Sequence, residues 1–363
     1  MRIAYGVHGF GRGHAMRALA VLPELAERHE LLILAGGDAY NALWPDYPVA
    51  RIPTLKYHYG KRGKLSNYLN AKRNAAMILD LLTHGPAYQM VEDMIRGFHP
   101  DVILTDSEAY THHLGRGLRI PRITFDHFGL LVYCRPEMSR WDRLIRRGNA
   151  FVYRTLFGDP DRAVVSGFFH APAAREGVCV VGPVIREEVR RLEPTRGEHL
   201  VVYVSKPDEF SPDLERALLE VGCPARVYGT PRRGLQDNLH FKPIANLPFI
   251  EDLASCRAVI GTTGNQLSGE VIYFGKPMLG KPMACLEQRL NAVQLETRGI
   301  GMQAVRRRIT ADLLRTFLAR EEEFLANVRR EFRDGKREAL DAIERFADEL
   351  VGSPRQATPS PAS

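Results

Sequence analysis

Residues 246–301 read NLPFIEDLASCRAVIGTTGNQLSGEVIYFGKPMLGKPMACLEQRLNAVQLETRGIG, and the order of elements in this stretch decides the fold. A loop leads into a short helix at Asp252–Ser255, then a strand at 257–262 and a Thr-Thr-Gly-Asn-Gln turn. A helix carrying Glu270 follows, then a strand at 277–280, and Glu287-Gln288 opens another helix. Strand, helix and strand in alternation is the unit of a parallel α/β sheet. Its helices begin where strands end, so two successive helix N-termini can hold phosphate oxygens. An acid in the first helix, Glu270, suits ribose hydroxyls. Glu287 and Gln288 add acceptors and an amide suited to sugar hydroxyls.

The alternation extends outward in both directions. The first half has strand-like runs at 2–8, 31–36, 48–53, 101–106, 121–126, 162–168 and 177–182, with helical patterns such as Ala15–His29 and Ala75–Phe98 between them. These runs are rich in Val, Ile and Leu rather than alternating, as in strands buried on both faces. A charged stretch with two prolines, 182–198, interrupts the series. A second series then runs at 199–205, 225–229, 239–243, 257–262, 277–280 and 301–305. The expectation is an α/β protein with two Rossmann-like domains facing a cleft. The N-terminal domain takes 1–183, a linker 184–198 and the C-terminal domain 199–325. Helices at 326–351 pack back toward the N-terminal domain, and the tail 352–363 has nothing to bury and is expected to be disordered.

Composition excludes several classes. The chain of 363 residues is 45% hydrophobic and 26% charged, the balance of a soluble protein with a sizeable core. It has no apolar run long enough to cross a bilayer, and Met1-Arg2 runs straight into a strand without a signal peptide. Five scattered cysteines show neither C-x-x-C nor metal spacing, so reduced thiols and a cytoplasmic location are expected, with no zinc site. A net charge of +7 attracts anionic substrates or surfaces. There is no RNP motif, helix-turn-helix signature or basic repeat, so nucleic acid is not an expected partner.

Residues 3–17, IAYGVHGFGRGHAMR, join a strand to a helix through glycines at 9, 11 and 13 and end the run with His14. Glycine lets backbone approach a ligand closely, and the helix start aims N–H groups at the same place. The spacing is not the dinucleotide G-x-G-x-x-G, and the second strand ends on Ala35-Gly36-Gly37 with no ribose-binding acid, which disfavours an NAD-dependent enzyme. Asp106 closes the strand 101–106 and so falls on the same sheet edge as His14. A carboxylate beside an imidazole fixes its tautomer and supports the imidazolium, which makes a general base. The bland alternatives are a tight turn with a helix-start histidine, and an Asp106 or Ser107 that only caps the next helix. Glu108, His112 and His113 read as surface or helix residues.

With these pieces assembled, 246–301 resembles the nucleotide-sugar site of inverting glycosyltransferases with the GT-B fold. It is similar to the peptidoglycan N-acetylglucosaminyl transferase and to natural-product and plant glucosyltransferases. The resemblance is carried by Thr262–Gly264, Glu270, Gly275-Lys276-Pro277, Glu287-Gln288 and Asn291-Ala292. It implies that His14 is the base and Asp106 its partner. It implies donor contacts from Gly11, Gly13, Ser205, Thr262, Thr263, Gly264, Asn265, Gln266, Glu270, Glu287 and Gln288, with Phe249 and Ile250 at the uracil ring. A UDP-sugar is the first expectation for the donor and a dTDP-sugar the second. The acceptor would be a small or lipid-linked hydroxyl compound, and no cofactor or metal is implied. Thr262 stands where many glucosyltransferases place a histidine on the diphosphate. The Glu-x7-Glu pair of retaining enzymes is missing, because the count from Glu270 lands on Met278. GTTGNQLSGE is also similar to a motif of UDP-N-acetylglucosamine 2-epimerase, which shares the fold, although the run of Arg and acids after it is missing. The epimerase and a non-catalytic nucleotide-sugar-binding subunit are the alternatives.

Two basic stretches lie in the first half. Residues 56–73 read as a mobile acceptor loop. Residues 139–158 form a basic amphipathic segment, a candidate for peripheral contact with an anionic membrane.

Overall fold

The computed structural model describes residues 1–56, 58, 67–304, 308–331 and 333–352. The first sheet comprises β1 (Arg2–Val7), β2 (Glu30–Ala35), β3 (Val49–Arg51), β4 (Val102–Asp106), β5 (Arg122–Asp126), β6 (Arg162–Ser166) and β7 (Val178–Val181). Its order is β3-β2-β1-β4-β5-β6-β7, and every pairing is parallel. The second comprises β8 (Leu200–Tyr203), β9 (Ala225–Tyr228), β10 (Gly234–Gln236), β11 (Leu239–Phe241), β12 (Ala258–Gly261), β13 (Met278–Gly280) and β14 (Gly301–Gln303). Its order is β10-β11-β9-β8-β12-β13-β14, with only β10 antiparallel to its neighbour. All five residues of β4 and of β5 are buried, and the Val-Ile-Leu run that opens β4 is the mark of such a strand.

In each sheet the chain starts near the middle, winds to one edge and then returns to fill the other side. The order reverses between β1 and β4 in the first sheet and between β8 and β12 in the second. Ligands of such sheets bind beyond the strands' carboxyl ends at that reversal. His14 follows β1 and Asp106 ends β4, while Ser205 follows β8 and Thr262 follows β12. Topology alone therefore brings these four to the two crevices.

Several expected elements differ. The helix read as 75–98 is two, Asn67–Thr83 and Pro86–Phe98. The break falls at His84, whose φ is 53°, and at Gly85 before Pro86, which lacks an N–H and favours the first position of a helix. The Asp80 carboxylate then accepts from Ala87 N at 3.1 Å and Tyr88 N at 2.9 Å, satisfying the second helix's start. Of the acceptor loop expected at 56–73, residues 57 and 59–66 lie outside the described residues, and the helix starts at Asn67. The charged linker carries structure of its own. It forms the short helix Glu187–Arg190 and buries Val184, Ile185, Arg186 and Val189.

After a nine-residue helix against the second sheet (Ala311–Ala319), the chain ends on the first. The helix Gly335–Gly352 places Ala339, Leu340, Ile343, Phe346 and Ala347 in one core with Ile3, Tyr5 and Leu104. Gly335 is needed there, because a Cβ would fall 2.0 Å from the Gly182 carbonyl oxygen. Among the described residues no helix is long and apolar enough to cross a membrane, and no cluster of His, Cys, Asp or Glu is suited to a metal ion.

Candidate active site

The glycine turn after β1 has two distinct jobs. A Cβ on Gly9 would fall 2.3 Å from the Gly36 carbonyl oxygen, so this glycine lets two strand-end loops pack together. Gly11 has φ 82°, points into open space and is the N-cap of the helix Arg12–Arg28. The helix therefore opens two residues before His14, and the His14 side chain, 24% exposed, projects from its first turn. Arg17 lies three residues on, where a helix stacks side chains on one face.

Asp106 is fully buried. Its Oδ1 lies 2.7 Å from His14 Nδ1. Arg17 donates to it three times, from Nε at 2.9 Å to Oδ2 and from Nη2 at 2.6 and 2.7 Å to Oδ1 and Oδ2. Burial alone would raise the Asp106 pKa, but the Arg17 guanidinium and His14 overcome it and hold the carboxyl below its ordinary value. The group is a carboxylate, so the proton between it and His14 sits on Nδ1 and leaves the Nε2 lone pair free for a substrate. Asp106 is not a helix cap. That task falls to Glu108, which accepts from Tyr110 N at 3.0 Å and Thr111 N at 2.7 Å and is buried. Of the surface-or-helix reading, the helix part holds for His112, inside Ala109–Gly117, and the surface part fails for Glu108. His112 is buried too, against Tyr153 and Phe157. His8 packs edge-on to His14 at 4.9 Å, and burial, reinforced by the His14 charge, pushes its pKa down to about 3.

On the other crevice Ser205 Oγ and Thr262 Oγ1 lie 2.9 Å apart, bridging the strand ends at the reversal. Thr263 Oγ1 donates to the Gln288 carbonyl at 2.6 Å. Gly264 caps the helix Asn265–Tyr273, and the buried Asn265 Oδ1 has no hydrogen-bond partner among the described residues. Glu270 is less free than a ribose ligand read from sequence. Its Oε1 accepts from Arg186 Nε at 3.1 Å and Gln266 Nε2 at 3.0 Å, with both members of the ion pair 3% exposed. Oε2 takes part in neither bond. Arg186 also donates to Asn246.

The loop read before Asp252 is helix from Asn246 onward. Phe249 N already donates to Ala245 O at 3.1 Å, and the Ile250 side chain is fully buried, so the backbone of both belongs to a helix rather than an open loop. A buried anchor imposes this. Asp252 accepts from Lys242 Nζ at 2.6 Å and from Arg226 and the Tyr228 hydroxyl. The Phe249 ring packs against Tyr203 and Tyr228, with centroids 5.5 and 5.0 Å away.

The two crevices face each other. A Cβ on Gly13 would stand 3.9 Å from Gln266 Cβ. His127, just past β5, donates from Nδ1 to the Ser166 carbonyl at 2.6 Å, and its Nε2 lies 3.4 Å from both Glu287 Oε1 and Asn291 Nδ2. Burial lowers the His127 pKa, against the pull of Glu287. The adjacent Glu287 and Gln288 separate: Glu287 faces His127, while Gln288 Oε1 turns back to accept from Met283 N at 2.9 Å. Sequence reading missed Arg17, His127 and Arg186, and it named Asn291 only as part of a motif, without a role. Arg17 and His127 had signals, the helical three-residue step from His14 and a position just beyond a strand end.

Two doubly wound sheets opposed across a cleft are the framework of the GT-B class of enzymes. The chain belongs within that class to glycosyl transferase family 1, whose model matches residues 1–321, and it is a glycosyltransferase. No curated protein matches it in sequence. Solved structures share the fold. A UGT2 of Phytolacca americana, complexed with UDP-2-fluoro-glucose and pterostilbene, superposes with TM-score 0.66 at 14% identity, covering 96% of this chain and 99% of its own. The glycosyltransferase VinC in complex with dTDP gives 0.61 at 15%, covering 97% and 100%. MurG of Acinetobacter baumannii gives 0.59 at 14%, covering 95% and 99%.

Proposed function

We propose that the chain transfers a sugar from a nucleotide donor to a hydroxyl acceptor with inversion, with His14 as the base. A UDP-sugar is the first candidate donor and a dTDP-sugar the second. The observation that carries the reading is the 2.7 Å contact of His14 with a buried, Arg17-held Asp106 at the sheet edge facing the helix Asn265–Tyr273. The nucleotides bound by the UGT2 and VinC structures support the donor class.

In this mechanism His14 Nε2 takes the acceptor's hydroxyl proton while Asp106 steadies the resulting imidazolium through Nδ1–H. The acceptor oxygen attacks C1 of the sugar from the face opposite the diphosphate, and the C1–O bond breaks with its electron pair leaving on the diphosphate. The transition state is oxocarbenium-like, so the demands are positioning and stabilisation of the leaving charge. The unpaired N–H groups at the start of Asn265–Tyr273 and the hydroxyls of Ser205 and Thr262 supply the second. Glu270 Oε2 holds ribose, Glu287 meets the sugar from beside His127, and Gln288 offers it Nε2, its Oε1 being taken by Met283 N.

The test measures nucleotide release from UDP- and dTDP-sugars with a panel of hydroxyl acceptors, and reads the anomeric configuration of the product by NMR. His14→Ala should lose about 100- to 10,000-fold in turnover while UDP still shifts its melting temperature. Retained turnover in the variant removes the base assignment, and a product with the donor's configuration removes inversion.

A further inference from the structure

We propose that the outer face of the helix Arg140–Phe157 binds an anionic lipid surface, with a pocket of arginines as the phosphate headgroup site. The inference stands on a part of the molecule outside the cleft and does not rest on the transferase reading. A cavity of about 500 Å³ opens beside this helix, lined by Arg135, Arg146, Arg147 and Arg154 together with Phe151 and Thr155. Main-chain carbonyls hold three of the guanidiniums. Arg146 donates to Leu131 O and Cys134 O at 3.2 Å, Arg154 to Val132 O at 3.4 Å, and Arg135 to Ala174 O at 3.5 Å. Among the described residues Arg154 alone of the four pairs with a carboxylate, Asp159 at 3.1 Å. Positive charge is thus concentrated on one wall and left largely unneutralised. Burial and the three neighbouring arginines lower the pKa of Arg146 accordingly.

The same helix carries an apolar stripe that the fold does not cover. Its inner face sends Ala150, Tyr153 and Phe157 into the core, whereas Trp141, Leu144, Phe151 and Val152 are 69%, 56%, 72% and 55% exposed. Leu144 lies three residues from Trp141, and Phe151 and Val152 lie seven and eight residues from Leu144, so the four share one outward face of the helix. Scattered exposed apolar residues need no explanation, but a stripe flanked by cations does. A soluble phosphate would use the pocket and leave the stripe idle. An anionic bilayer uses both: headgroup phosphate against the guanidiniums, and the stripe at the acyl boundary. The helix's one acid, Asp142, is tied to Arg289 at 2.6 Å, on the helix Leu286–Thr297 that carries Glu287. The lipid-facing helix and the cleft therefore share a rim.

The full chain would be sedimented with vesicles of phosphatidylcholine, alone or mixed with phosphatidylglycerol, at low and high salt. Binding should require phosphatidylglycerol and weaken with salt. Arg147→Gln, at an exposed position, should bind roughly fivefold more weakly. Phe151→Ser should lose vesicle binding while keeping its melting temperature. Equal binding to neutral vesicles, or no effect of either variant, overturns the proposal. So does protection of the melting temperature by glycerol phosphate or inorganic pyrophosphate without any vesicle binding, which would make the pocket a site for soluble phosphates.

Discussion

Replacing Arg17 by methionine tests what holds the dyad together. Arg17 and Asp106 form a buried ion pair with side chains 4% and 0% exposed, bridged by three hydrogen bonds. Removing one partner of such a pair strands the other in a low-dielectric interior and costs about 3–5 kcal/mol. Arg17→Met should therefore lose that amount in urea unfolding followed by far-UV circular dichroism at neutral pH. Changing both partners, Arg17→Met with Asp106→Leu, should recover most of it, because two packed apolar side chains leave no unpaired charge. The pH dependence gives a second check. In the wild type the Asp106 pKa is held below its ordinary 3.8, so its stabilisation is full above that value and is lost as pH falls through the lower, folded-state one. Without Arg17, burial becomes the larger influence and pushes the pKa up, so acid protonates the stranded carboxylate and relieves the cost. The gap between wild type and Arg17→Met should narrow as pH falls. A gap below about 1 kcal/mol at neutral pH, the yield of a surface pair, or one that ignores pH, would refute the reasoning.

Glu270→Gln should weaken free UDP about tenfold, the value of one charge-assisted hydrogen bond, and calorimetric titration measures it. Alanine at this position is a poorer probe because it would also leave Arg186 Nε without the acceptor that a glutamine oxygen keeps. Gln288→Ala should bind UDP as before but discriminate less among nucleotide sugars, and equal weakening of both would take the sugar away from this residue. Burial holds His112 near pKa 3 instead of 6.5, and neither of its ring nitrogens has a partner among the described residues. The unfolded chain takes up this proton first as pH falls below 6.5, so stability declines from there toward 3 by about 1.4 kcal/mol per pH unit. His112→Leu should remove one proton from that slope in denaturation series between pH 6 and 4, and an unchanged slope would place the uptake elsewhere.

The sheets were legible because strands buried on both faces are rich in apolar residues. Leu104 and Phe125 look buried in the sequence because they are. β10 escaped notice for the converse reason: its three residues are all exposed, and pairing with β11 alone makes them a strand. The turn between the helices at 84–86 carried its signal in Pro86, whereas the helix from Asn246 depends on Asp252 reaching Arg226, Lys242 and Tyr228. His14 and Asp106 could be brought together from sequence by strand order alone. Arg186 could not be brought to Glu270, since nothing in a local pattern ties residues 84 positions apart.

The last helix has a consequence for how the chain is made. Gly335–Gly352 covers a face of the first sheet, yet the whole second sheet lies between it and β7 in the chain. During synthesis at about 5–20 residues per second, the first half leaves the ribosome with Ile3, Tyr5 and Leu104 waiting on the order of ten seconds for their partners. The halves are thus interleaved in time as well as in space. A fragment ending near β7 should be sticky and incompletely protected from proteolysis, and supplying residues 335–352 as a separate peptide should cure it.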